Sequence, residues 1–172
     1  MVNAVAARIS AAWRVLDGVP DPEVPALSVR DLGIVRDVVE HADGLEVVLT
    51  PTYSGCPATE AIASDVVRAL DEAGLGPART TLRRAPAWTT DWISDAGRSK
   101  LQAAGIAPPQ RTDPAPAATA QPIVFSPRRP TPACPRCASP RTERLSAFGS
   151  TACKALYRCL DCREPFEHFK PI

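Results

Sequence analysis

Residues 33–51 read "GIVRDVVEHADGLEVVLTP", and this stretch decides the fold. Two β-rich apolar runs flank Ala42-Asp43-Gly44. Asp-Gly between such runs is a strong hairpin signal, because glycine accepts the positive φ that a tight turn demands. Upstream, "MVNAVAARISAAWRVLDG" (1–18) places Val5, Ile9, Ala12, Trp13 and Leu16 on one face of an amphipathic helix. Downstream, "PATEAIASDVVRALDEAG" (57–74) predicts a second helix. Its buried stripe is Ile62, Val66, Ala69, Leu70 and Ala73, with Pro57 at its first position and Gly74 at its C-terminal cap. "ARTTLRRA" (78–85) predicts a third strand, and Ser94 is placed to cap a last helix that stops at Gly105. The order α-β-β-α-β-α specifies a small α/β (α+β) domain over residues 1–106, one sheet with helices on one face.

Residues 107–133 hold eight of the chain's 19 prolines. That composition favours extended polyproline segments over a packed core and predicts a semi-rigid linker. The apolar triplet at 123–125 has two readings, a docking point or, as is more common, only a sticky spot in a linker.

Beyond the linker, "CPRC" (134–137) and "CLDC" (159–162) form two Cys-x-x-Cys pairs. Thiolates two residues apart converge on one ion, and two such pairs close a tetrahedral site with no open position. "RTERLSAF" and "KALYRC" are strand-like runs around "GST", so residues 134–172 read as a small all-β zinc ribbon. The ligands would be Cys134, Cys137, Cys159 and Cys162, holding structural Zn²⁺. An iron or iron–sulfur site, or a disulfide pair, is the alternative for the same spacing. A piece this short has too little core to fold unaided, so metal binding would supply folding energy.

The formal net charge of the 172-residue chain is +1, which does not point to nucleic acid or an anionic membrane. Residues 134–172 carry seven Lys or Arg against four Asp or Glu. A Zn²⁺ ion on four thiolates contributes −2, so only about +1 remains for a phosphate surface. A ribbon that docks protein is the better expectation than one that binds DNA or RNA. No apolar run reaches the ~18 residues of a membrane span, and Arg8 and Arg14 interrupt the N-terminal apolar stretch. The chain is therefore expected to be cytoplasmic, where six cysteines suggest metal or chemistry before disulfides. Homodimer formation is left open.

Cys56, in "TPTYSGCP" (50–57), stands apart from the four-cysteine pattern. It lies where a strand ends and a helix is expected to begin. The unpaired N–H groups of a helix start favour a thiolate, so its pKa is expected to fall. Gly55 would let backbone pass close by, and Thr50, Thr52 and Ser54 supply hydroxyls. Three readings stay open: a reactive thiol, a transient metal ligand, or a small buried residue in a tight turn. Neither His41 nor His168 is near it in sequence, so a Cys–His nucleophilic pair has no support. Asp21 and Glu23, in "DPE" (21–23), could assist a metal held at Cys56, or could serve only as a solvated loop or a cap. Trp88 and Trp92 read as core or interface packing, and Cys153 as a buried small residue, or else as a spare thiol that could exchange with a ligand or face a partner.

"DPEVPALSVRDLGIV" followed by "TPTYSGCPA" resembles the MIP18/DUF59 family of iron–sulfur assembly factors. With "PAWTTDWIS", "CPRC" and "FGSTACKALYRCLDCREPF", the whole is similar to the PaaD-type subunits of bacterial phenylacetyl-CoA epoxidase, a ring 1,2-monooxygenase system. The resemblance implies an accessory role in phenylacetate catabolism. Its partners would be the oxygenase and reductase subunits, whose iron or iron–sulfur centres it would help assemble. Cys56 would match the family's reactive cysteine, with transient iron or a cluster there, and Asp21 and Glu23 its acidic motif. Two rival functions remain at this point: a cysteine-dependent redox or acyl-CoA-acting enzyme component, and a nucleic-acid-binding ribbon.

Overall fold

The computed structural model describes residues 2–53, 55–111 and 131–171. It divides into two compact units, Met1–Lys100 and Leu101–Pro171. Most of the proline-rich stretch read as a linker, including the triplet at 123–125, lies outside the described residues.

The first unit opens with helix α1 (Val2–Leu16), followed by strands β1 (Val35–His41) and β2 (Gly44–Leu49). These strands pair antiparallel, with His41 opposite Gly44, so Ala42-Asp43 form the two-residue turn. Gly44 has φ +140°, and a Cβ there would sit 2.2 Å from the Pro77 carbonyl oxygen, so glycine is required on both counts. Helix α2 (Thr59–Glu72) then returns the chain to β3 (Ala78–Leu82), which lies parallel to β2. The sheet order is β1-β2-β3. Helices α1 and α2 pack together, α1 against β1 and α2 against β3. Leu16, Leu45, Val47, Leu49, Val66 and Leu70 are almost wholly buried and form the centre of this core.

Several boundaries differ from the sequence expectations, each for a local reason. Helix α2 starts at Thr59, so Pro57 precedes it rather than opening it. Its buried stripe is Ile62, Val66 and Leu70; Ala69 is half-buried and Ala73, the C-terminal cap, is exposed. Val5, on the α1 stripe, is 42% exposed, because the first turns of α1 extend past the core. The third strand ends at Leu82, and residues 82–87 are all exposed.

Helix α3 (Asp95–Ala103) is capped as expected: the Ser94 hydroxyl oxygen accepts from Gly97 N at 2.9 Å. The segment before it packs into the first unit. Trp88 is buried and its indole N–H donates to Leu32 O at 2.9 Å. Asp31, almost buried, accepts from Ser28 N, Ser28 Oγ and Lys100 Nζ, the last at 2.6 Å.

The second unit is a four-stranded sheet of order β4-β7-β6-β5. Its strands are β4 (Ile106–Ala107), β5 (Thr142–Ser146), β6 (Lys154–Cys159) and β7 (Pro165–Phe169). The hairpin β5–β6 and the next turn to β7 are antiparallel, as a ribbon requires. Strand β4 pairs parallel with β7, and the His168 Nδ1 lies 3.1 Å from Ala107 O. Ala107, Cys134, Cys159 and Phe166 form the core of this unit, with Tyr157 packed against it.

Candidate metal centre and the Cys56 loop

The metal site is built by two turns of the same shape. The first, Cys134–Cys137, precedes β5; the second, Cys159–Cys162, joins β6 to β7. After each pair the backbone enters the left-handed region, at Ala138 with φ 58° and at Arg163 with φ 67°. This conformation is strained for a residue with a Cβ. It aims the next N–H back at sulfur: Ser139 toward Cys137 and Glu164 toward Cys162. Cys159 likewise receives N–H bonds from Cys162 and Asp161. Such donors orient the ligands and stabilise negative sulfur.

The four sulfurs lie within 4.8 Å of one another. Cys134 Sγ is 3.7 Å from Cys162 Sγ, and Cys137 Sγ is 3.6 Å from Cys159 Sγ. A tetrahedron with metal–sulfur bonds of ~2.3 Å has edges of about 3.8 Å. The separations therefore fit one tetrahedral ion, and Zn²⁺ suits this all-thiolate donor set, as single iron also would. Cys134 and Cys159 are buried, whereas Cys137 and Cys162 are exposed. The protons are unevenly shared. At Cys159 burial raises the thiol, but the N–H donors and the neighbouring thiols outweigh it and bring the pKa to about 6. At Cys162 the Glu164 N–H lowers it, yet burial and the other three thiols push it up to about 12. Four thiols this close cannot all ionise without a cation between them.

Cys56 is half-buried in a turn three residues ahead of α2. Its N–H donates to Tyr53 O at 3.2 Å, and its carbonyl accepts from Thr59 N and from Thr59 Oγ1 at 2.9 Å. The helix start is therefore adjacent to Cys56 rather than formed by it. Gly55 is needed for its φ of +100°; a Cβ there would meet nothing within 4 Å, so no close backbone approach is involved. Thr50 and Thr52 are buried, Thr50 N bonding Ile34 O at 2.8 Å, while Ser54 lies outside the described residues. His41 Nε2 sits 2.9 Å from Glu46 Oε2, and His168 faces Ala107.

Asp21 is buried, and its Oδ1 accepts from Glu23 N at 2.9 Å and Val24 N at 2.8 Å. With Pro20 bridged to Ser28, it closes the proline-rich loop; Glu23 is half-exposed on that loop. Among the described residues, the ribbon cysteines are the one group of three or more His, Cys, Asp or Glu brought together closely enough for a metal ion. Sequence reasoning did not find the left-handed residues Ala138 and Arg163, although their place directly after each Cys-x-x-Cys is a usable signal. It also passed over Asp31, whose partners are too dispersed along the chain to show a pattern.

Fold and site thus define a class: a small α/β unit joined to a four-cysteine ribbon. Comparison with known proteins bears this out. Residues 9–81 match the family model for "Iron-sulfur cluster assembly protein", and residues 119–170 match that for "PaaD zinc beta ribbon domain". A relative from Escherichia coli K12, named as a subunit of a "Putative 1,2-phenylacetyl-CoA epoxidase", is 46% identical over 160 residues, covering 93% of this chain and 91% of its own. A Porphyromonas gingivalis "Fe-S protein maturation auxiliary factor" is 34% identical over 90 residues, covering 51% of this chain and 85% of its own. The crystal structure of a DUF59 domain from Bacillus anthracis shares the fold of part of the chain, with TM-score 0.54 and 24% identity, covering 59% of this chain and 97% of that one. The chain belongs to the PaaD family. No helix among the described residues is long and apolar enough to cross a membrane.

Proposed function

We propose that the chain is an accessory maturation factor for a phenylacetyl-CoA epoxidase in aerobic phenylacetate catabolism, working in the cytoplasm. It assists assembly of iron or iron–sulfur centres in the oxygenase and reductase subunits. The observation that carries this reading is the separation of two kinds of cysteine in one chain. Four are closed around a single ion-sized space, and one, Cys56, stands in a half-buried turn of the assembly-factor unit. The likeness to the E. coli epoxidase protein and to an iron–sulfur maturation factor supports it.

In this reading Cys56 is the transient ligand. Iron or a cluster displaces the thiol proton, and hand-over to client ligands restores it with no change of oxidation state. Asp21 holds the 20–28 loop through its Oδ1, so its assistance is through the shape of that loop, and Glu23 is the more exposed of the two carboxylates. Zn²⁺ on Cys134, Cys137, Cys159 and Cys162 is structural, since four sulfurs leave no open coordination position. The ribbon docks the client, and residues 107–133 join it to the α/β domain.

The test is co-expression of Cys56→Ala with the oxygenase and reductase subunits, followed by iron analysis and epoxidase assay. Client iron should fall while the zinc content of the variant stays at one per chain. Unchanged client metal would remove the role of the thiol.

A further inference from the structure

One end of the three-stranded sheet carries an unneutralised group of arginines. Val35 and Leu82 both stand opposite Leu49, the last residue of β2. Arg36 occupies the bulge after Val35, and Arg83 follows Leu82 with its N–H on Leu49 O at 2.8 Å. The neighbouring strands lie roughly 4.8 Å on each side of β2. Arg36 and Arg83–Arg84 therefore flank the point where the segment leading to Cys56 leaves the sheet. All three arginines are exposed, and Leu82 beside them is 46% exposed.

These side chains differ from other arginines of the unit. Arg8, Arg30, Arg68 and Arg79 each pair with a carboxylate. Among the described residues no carboxylate pairs with Arg36, Arg83 or Arg84. Arg36 instead lies over the Trp92 ring, 3.5 Å from its centroid, which fixes the guanidinium without neutralising it. Its pKa is lowered first by burial and then by the positive charge of Arg83, so the two sense each other. Like charges left together at a surface are destabilising unless something of opposite charge covers them.

We propose that Arg36, Arg83 and Arg84, with Leu82, form a docking surface for an acidic segment of the client protein, presented at the end of the sheet from which the Cys56 loop departs. The inference rests on the client reading above and adds to it where the client is held. Charge complementarity sets the sign of the partner. The exposed leucine favours a protein segment over a small anion, which would make no use of apolar area. Arginine is favoured at such contacts because its planar fork meets carboxylates in pairs.

The experiment titrates the full chain separately with the purified oxygenase and reductase components at several salt concentrations. Arg83→Glu and Arg84→Glu are compared singly and together, with Arg14→Glu on exposed α1 as the charge-matched control. Thermal melts verify that each variant folds. The double variant should bind about 10- to 100-fold more weakly at low ionic strength, with a flatter salt dependence, while Arg14→Glu matches the unaltered chain. Equal affinity of double variant and unaltered chain overturns the docking surface alone. The surface also falls if protein binding persists and only uptake of an iron–sulfur cluster by the chain itself is lost, because the arginines then serve the anionic cargo. If the unaltered chain binds neither component, the client reading itself fails and takes the surface with it.

Discussion

Ala138 and Arg163 occupy equivalent places, each directly after the second cysteine of its pair, and each has the left-handed backbone, with φ of 58° and 67°. The ribbon thus spends backbone strain twice to turn an N–H toward a sulfur. Glycine fits this conformation freely and a β-branched residue fits it badly. Ala138→Gly should keep zinc affinity and stability within ~1 kcal/mol, whereas Ala138→Val should cost about 1–3 kcal/mol. Chelator competition and thermal melting read both. Equal tolerance of valine and glycine would contradict the strained-turn account.

Metal removal should act on one unit. Structural zinc in small sites supplies about 10–16 kcal/mol of apparent binding energy, more than a ribbon of this size can replace. Cys159→Ser, or treatment with a strong chelator, should abolish hydrogen-exchange protection in β5, β6 and β7. Protection in β1, β2 and α2 should persist. Loss of protection throughout the chain would show that the units do not fold separately.

Asp31 sets a pH limit on the first unit. Burial raises its carboxyl, but the Lys100 ammonium and the Ser28 N–H and hydroxyl outweigh that and hold the pKa below 3.8. A depressed carboxyl stabilises the fold fully above its unfolded value and loses that contribution as pH falls through the folded one. Asp31→Asn should therefore cost about 1–3 kcal/mol at pH 7. The gap to the unaltered protein should narrow as pH drops through and below 3.8. Denaturant titrations at neutral and acid pH provide the comparison; a gap that grows on acidification would reverse the sign.

With the ribbon thiols engaged by zinc, two cysteines remain for alkylation. Cys56 is half-buried, while Cys153 is 4% exposed with its sulfur 3.0 Å from Thr151 Oγ1. Iodoacetamide should modify Cys56 roughly 10-fold faster or more, since a buried thiol must wait for local opening. Peptide mass spectrometry of the zinc-loaded protein decides it, and faster labelling of Cys153 would refute the assigned exposure.

Gly33 has φ +68°, and a Cβ there would come 2.6 Å from Trp92 O and 2.8 Å from Trp92 Cβ. Gly33→Ala should destabilise the first unit by about 2–4 kcal/mol, combining backbone strain with displacement of Trp92. A change below ~0.5 kcal/mol, the usual scale of surface substitutions, would show that the Trp92 segment yields freely.

Features with a local cause were legible in the sequence. Asp43-Gly44 between two apolar runs announced the hairpin, although the turn itself is Ala42-Asp43 and Gly44 is the first residue of β2, with a φ of +140° that favours glycine. The two Cys-x-x-Cys pairs announced the metal centre, because their spacing is set by one ion. Ser94 announced the cap of α3. Features set by distant partners were not legible. Strand β4 has two residues and exists through its pairing with β7, some 60 positions away. Asp21 Oδ1 accepts from the backbone N–H groups of Glu23 and Val24, a turn geometry that the acidic pattern alone did not separate from a chemical role. Ala73 followed the helical period, yet α2 had already ended at Glu72.

Strand β4 also bears on how the protein can be cut. A fragment starting at residue 131 would contain every metal ligand but would leave the edge of β7 unpaired and Ala107, now 1% exposed, missing from the ribbon core. An uncovered strand edge invites pairing between copies. A fragment starting at residue 101 keeps that edge closed, so the ribbon unit begins well upstream of its first cysteine.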